Sequence, residues 1–119
     1  MTAFPSRELA EQLIATAWSE YDGTRTIDNL IEVSAHVSTN RVFRVVFDDT
    51  SHIVAKISSY GSYFLFAEDH DRLFTSAQLL RGSRWEGFLA EVLPRDGHAY
   101  TWYDGTYWVA FYTDIERAI

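Results

Sequence analysis

Residues 6–21, near the start of the chain, have the apolar spacing of an amphipathic helix. In the segment SRELAEQLIATAWSEY the apolar side chains recur every three to four positions and fall on one face of a helix, which carries Leu9, Leu13, Ala17 and the flanking Ile14. Pro5-Ser6 is typical of a helix start, and Asp22-Gly23 is typical of a stop. We therefore predict an N-terminal helix.

Three segments with the pattern of β-strands follow this helix. They are NLIEVSAHV, RVFRVVF and HIVAKIS, and the last two are rich in β-branched residues. The short polar sequence DDTS separates them, which predicts a β-hairpin.

A second apolar stripe predicts a long helix from Tyr63 to Leu80. Phe66, Leu73 and Ala77 lie on this stripe, and Arg81-Gly82 is a typical helix end. The segments FLAEVLP, HAYTWY and TYWVAFYT then predict three more strands, with Asp-Gly turns between them.

This order predicts an α+β fold: an antiparallel sheet of five to six strands, a long helix packed across it and an N-terminal helix. We expect a single domain over residues 1–119. Residues 1–24 would hold the first helix, 27–113 the sheet and second helix, and 114–119 the start of a hinge or linker.

Composition narrows the function classes. The chain has no cysteine, which excludes disulfides and thiolate metal sites. Its net charge of −7 argues against nucleic-acid and anionic-membrane partners. It has neither an export signal nor an apolar run of membrane-spanning length, so we expect a cytoplasmic protein.

Lys56 is the only lysine, against nine arginines, and it interrupts an apolar strand. Alternation along the strand places it on one face with Val54, and Ile53, Ala55 and Ile57 on the other. An ammonium group at a mid-sheet position is unfavourable unless it meets an anion. The alternative is a strand lysine whose stem lets the ammonium reach water.

The sequence around Lys56 resembles the small lobe of the aminoglycoside/choline phosphotransferase superfamily. IVAK matches the strand-lysine motif of kinases, and STNRVFRV resembles the first hairpin of this superfamily. The order of helix, hairpin, lysine strand, helix and further strands also fits, and the resemblance covers most of residues 27–115. It implies a nucleotide as partner, with ATP and Mg²⁺ as cofactors.

The resemblance also implies a role for each matching residue. The turn that covers the phosphates would be formed by Ser38, Thr39 and Asn40, and Lys56 would bind phosphate oxygens. Val42 and Val54 would sandwich the adenine. Hinge backbone groups that bind adenine would come from Phe111, Tyr112 and Thr113. The alternatives are an ordinary hairpin turn for the first set and core packing for the two valines.

An acid on the following helix normally holds the lysine in this superfamily. The segment FAEDHDRLF offers Asp69, at the edge of the apolar stripe, and Glu68 and Asp71 as alternates. These acids also fit a solvated helix start that complements the helix dipole. The four residues of EDHD could each bind a metal, but consecutive side chains on a helix point in different directions, so we expect no metal site there.

Catalytic motifs are absent from the sequence. It contains neither H-x-D-x-x-x-x-N nor D-F-G, so we expect this chain alone to be inactive, with a C-terminal lobe as its partner. A competing hypothesis is an acidic homodimeric adaptor similar to secretion chaperones, with no nucleotide site. Four tryptophans and seven tyrosines would then supply a protein-binding surface.

Overall fold

The computed structural model describes residues 5–33, 40–59, 63–80 and 91–113. These residues form two helices and seven strands: α1 (Arg7–Tyr21), β1 (Ile27–Glu32), β2 (Asn40–Phe47), β3 (His52–Ser58), α2 (Tyr63–Leu80), β4 (Pro94–Arg95), β5 (His98–Ala99), β6 (Thr101–Tyr103) and β7 (Trp108–Thr113). Neither of these helices is long and apolar enough to cross a membrane. The α+β class is confirmed.

Five strands form one antiparallel sheet in the order β1-β2-β3-β7-β6, so β3 lies at its centre. The predicted hairpin joins β2 to β3, and Val46 pairs with His52 beside the turn. In the turn, Asp49 accepts the backbone N–H of Ser51 at 2.9 Å, while Thr50 adopts a positive φ of 70°. The polar residues between the two apolar strands therefore satisfy the backbone locally.

Helix α1 covers one face of this sheet and forms the main core with it. The apolar side chains that meet there are at most 6% exposed and come from α1 (Ala10, Ile14, Ala17, Trp18), β2 (Phe43, Val45, Phe47), β3 (Ile53, Ala55, Ile57) and β7 (Val109, Phe111). The Trp18 ring centroid lies 4.8 Å from that of Phe47 and 5.2 Å from that of Phe111. Ser6 caps the helix by accepting the N–H of Leu9 at 3.1 Å.

Helix α2 contacts the opposite face near β7. The Phe66 and Trp108 ring centroids are 5.6 Å apart. Phe66 and Phe74 pack against a small buried cluster formed by Val92, Ala110 and Tyr112. Asp71 accepts the backbone N–H of Ala99 at 3.0 Å, which joins α2 to the β4–β5 hairpin. α1 therefore covers one face of the sheet, and Phe66 of α2 contacts Trp108 on the other.

The predicted strand HAYTWY is split into β5 and β6 at Tyr100. The N–H of Tyr100 donates to the carbonyl of Leu93 at 2.9 Å, and its buried hydroxyl donates to the carbonyl of Ala17 at 3.3 Å. The chain thus changes partner at this residue, from β4 before it to β7 after it. Asp96 and Gly97 form the predicted turn, with φ values of 55° and 80°.

Arg95 fastens the β4–β5 hairpin to the end of α1. Its guanidinium donates to the carbonyls of Glu20 at 2.8 Å and Tyr21 at 2.6 Å, groups that a helix end leaves without partners. It also lies 5.2 Å from the ring centroid of Tyr21 and 4.9 Å from that of Tyr100. The Tyr21 hydroxyl donates back to the carbonyl of Pro94 at 2.8 Å.

Candidate functional site

Lys56 lies at the centre of the sheet, on the face opposite α1. Its strand neighbours are Val42 on β2 and Ala110 on β7. Along β3 the buried residues Ile53, Ala55 and Ile57 face the core, whereas Val54 and Lys56 are half-buried on the other face. Burial lowers the pKa of the Lys56 ammonium, so the protein around it disfavours the charge.

The ammonium of Lys56 lies against an aromatic ring. Its Nζ is 5.4 Å from the ring centroid of Tyr112, within the range of a cation–π contact. In the part of the chain that the structure describes, no carboxylate forms an ion pair with it. A ring quadrupole attracts a cation without neutralising it, so the charge stays available to an anion.

His70 on α2 links this ring to the helix. It is 5% exposed, its Nδ1 lies 2.8 Å from the carbonyl of Phe66, and its Nε2 is hydrogen-bonded to the Tyr112 hydroxyl. Because a carbonyl only accepts, Nδ1 carries the proton in the neutral ring and Nε2 accepts from the hydroxyl. Burial and the nearby Lys56 charge lower the pKa of His70, and burial raises the pKa of Tyr112.

The three candidate acids lie apart from Lys56. Asp69 accepts from Arg72 at 2.9 Å, and Glu68 pairs with the same guanidinium. Asp71 accepts from the backbone of Ala99. All three side chains are exposed, and none of them lies in the first turn of α2, which begins at Tyr63. They are therefore solvated, as the alternative predicts, but they are not at the helix start where they would complement the dipole. The structure does not bring them to the lysine.

The two valines of the predicted adenine sandwich share the face of Lys56 but have different neighbours. Val42 is half-buried directly beside Lys56 in the sheet. Val54 pairs with Tyr112 on β7 and packs against the buried cluster of Val92, Ala110 and Tyr112. Val42 is therefore placed beside the lysine, whereas Val54 already contacts protein side chains.

The backbone groups of the predicted hinge take part in the sheet. The carbonyl of Phe111 accepts the N–H of Leu93 at 2.8 Å, and the N–H of Thr113 donates to the carbonyl of Glu91 at 2.8 Å. Tyr112 pairs with Val54 on the other side. An adenine contact would therefore have to displace these bonds or use residues after Thr113.

The turn predicted to cover phosphates falls mostly outside the described residues. Ser38 and Thr39 lie there, while Asn40 opens β2 and pairs with Ser58 of β3. The structure thus places Asn40, the first residue of β2, at the same end of the sheet as Ser58, the last residue of β3. This is the end toward which Lys56 lies within its strand.

Sequence reasoning missed the side chains of His70 and Tyr112. Tyr112 was predicted to act through its backbone, and His70 was considered only within EDHD. One signal was available for the histidine, since it follows Phe66 by one helical turn and so shares the apolar stripe. No signal in one sequence indicates that its ring meets a tyrosine from β7.

Other surfaces of the described chain offer less to an anion or a partner. A depression of about 430 Å³ on α2 is lined by Glu68, Asp71, Arg72, Thr75 and Ser76, whose two carboxylates would repel phosphate. No group of three His, Asp or Glu residues in the described ranges is placed to hold a metal ion. Large exposed apolar side chains are dispersed over β1 and the residue after it, α2 and β6: Ile31, Val33, Leu73, Leu79 and Tyr103.

Comparison of the chain with models of known families, with curated proteins and with solved structures finds no match.

Proposed function

We propose that the chain is the nucleotide-binding small lobe of an aminoglycoside/choline-type phosphotransferase, with α2 as the long helix packed across its sheet. The observation that supports this proposal is the position of Lys56. Its ammonium is half-buried at the centre of a sheet face, and no carboxylate of the described residues pairs with it.

A cation in this position is unfavourable for the apoprotein and favourable for a phosphate complex. Burial destabilises the ammonium, and the Tyr112 ring offsets only about 0.5–1 kcal/mol of that cost. Phosphate oxygens would supply the missing negative charge through charge-assisted hydrogen bonds. Val42 would offer an apolar wall on the neighbouring strand.

The proposal assigns no phosphoryl transfer to this chain. The sequence lacks the catalytic aspartate and asparagine motifs, and a C-terminal lobe would have to supply them. Mg²⁺ does not fit the described residues, because no three of their His, Asp or Glu side chains are placed to hold a metal ion. Glu68 and Asp69 pair with Arg72, and Asp71 accepts from the backbone of Ala99. In this proposal the metal arrives bound to the nucleotide.

The single lysine makes a direct test feasible. We would label the protein with ¹³C-lysine and titrate ATP with Mg²⁺, following the one lysine Cε signal by NMR. We expect a saturable shift of this signal. Lys56→Met has no lysine signal, so its affinity for ATP with Mg²⁺ would be measured by isothermal titration calorimetry beside that of the parent. We expect this variant to bind at least about tenfold more weakly, since a charge-assisted contact is lost.

Arg7→Met is the matched control, because it removes one exposed cation from α1, which lies on the opposite face of the sheet. It should bind within about twofold of the parent. A lysine signal that stays unmoved at millimolar ATP, or equal weakening by the two variants, would contradict the proposal. A concentration-dependent dimer combined with an unmoved lysine signal would favour the adaptor hypothesis.

A further inference from the structure

A continuous series of contacts runs from the backbone of α2 to the ammonium of Lys56. The carbonyl of Phe66 fixes His70 through Nδ1, and Nε2 of His70 accepts from the Tyr112 hydroxyl. The Tyr112 ring then lies under Lys56 Nζ at 5.4 Å. The members come from α2, β7 and β3, so the series links three elements.

We infer that His70 and Tyr112 are positioning residues for Lys56, in the place where the resemblance implies a helix carboxylate. This inference rests on the proposed nucleotide-binding role. Neither residue is assigned a contact with the nucleotide. Their part is to hold the lysine side chain toward the ligand before the ligand arrives.

The physical difference from a carboxylate is that this arrangement leaves the lysine charge uncompensated. An ion pair would hold the ammonium but would compete with phosphate for it. A ring held at a fixed position restricts the side chain through packing and a weak cation–π attraction. The hydrogen bond to His70 matters because it fixes that ring by its far end.

The hydroxyl can be removed while the ring is kept, which separates positioning from packing. Tyr112→Phe leaves the ring and breaks the series, but it also leaves the buried Nε2 of His70 without its donor. Tyr112→Phe combined with His70→Leu removes both polar partners. Because neither group is then left unsatisfied, we expect the double variant to regain stability.

The decisive readouts are the affinity for ATP with Mg²⁺ and the lysine Hε chemical shift. We expect Tyr112→Phe to weaken binding by about three- to tenfold, and the double variant to regain stability without regaining affinity. In the unliganded protein, the Hε signal should lie upfield because of the Tyr112 ring current. It should move toward the free-lysine position in both variants.

Recovery of affinity together with stability in the double variant would show a merely structural role and overturn the inference. An Hε signal unchanged by Tyr112→Phe would also overturn it. Failure of the parent protein to bind ATP is a separate result, since it removes the proposed function. The unliganded Hε shift would still decide whether His70 and Tyr112 position the lysine.

Discussion

Replacing Lys56 by methionine tests whether burial of this ammonium in the sheet lowers the free energy of unfolding. Burial lowers the pKa of Lys56, which means that the folded protein disfavours its charged form. The Tyr112 contact returns about 0.5–1 kcal/mol. Methionine keeps most of the apolar stem between Val42 and Ala110. We expect Lys56→Met to raise the free energy of unfolding by roughly 1 kcal/mol at pH 7.

The assay is urea unfolding followed by tryptophan fluorescence, which reports on the buried Trp18 and Trp108. The expected gain in the free energy of unfolding depends on pH. The folded pKa of Lys56 lies below its ordinary 10.5, so the penalty is full at neutral pH and fades as pH rises toward 10.5. Arg7→Met, which removes an exposed cation and its surface ion pair with Glu11, should change stability by less than about 0.5 kcal/mol. A loss of 1 kcal/mol or more in Lys56→Met would refute the reasoning, because it would mean that the ammonium is already stabilised by a partner.

Three further results are expected. Ile14→Ala should lower the free energy of unfolding by about 2–5 kcal/mol, because it opens a cavity between α1 and the sheet, and urea unfolding measures this. Gly97→Ala should lower the free energy of unfolding by about 1 kcal/mol, because φ is 80° at this position, and the melting temperature should fall. The same change at Gly23, which has no positive φ, serves as the control. Burial lowers the pKa of His70, so the stability it supports should be complete above its ordinary 6.5 and decline as pH falls below 6.5 toward the folded value. Urea midpoints between pH 8 and pH 4 check this, and His70→Leu should show a smaller decline.

The sequence predicted the parts of the fold that depend on local pattern. Alternation in HIVAKIS placed Lys56 and the core residues on opposite faces, and the Asp-Gly turn at Asp96-Gly97 was readable from the sequence. The stripe of α1 was displaced by one position, since Ala10 and Ile14 are fully buried whereas Leu9 and Leu13 are only partly so. Trp18 explains this displacement, because its large ring enters the core while its Nε1 donates to the carbonyl of Arg25 at 3.1 Å.

Features that depend on distant residues could not be read in the same way. The break at Tyr100 results from a hydroxyl that reaches Ala17, in a helix far earlier in the chain. The neighbours of Lys56 are likewise set by how α2 and β7 meet, which brings His70 onto Tyr112. Periodicity reports which face a residue lies on, but it does not report which residue of another element lies opposite.

The position of β7 between β3 and β6 has a consequence for synthesis on the ribosome. While the nascent chain grows, β1, β2 and β3 can pair at once, whereas β7 emerges only after α2 and the β4–β5 hairpin. Until then, β3 is an exposed apolar edge strand with which another chain could pair. Lys56 is the one charged side chain in its stretch Ile53–Ser58, and an inward charge on such an edge opposes aggregation. The same ammonium would therefore oppose aggregation of the incomplete sheet before any ligand binds to it.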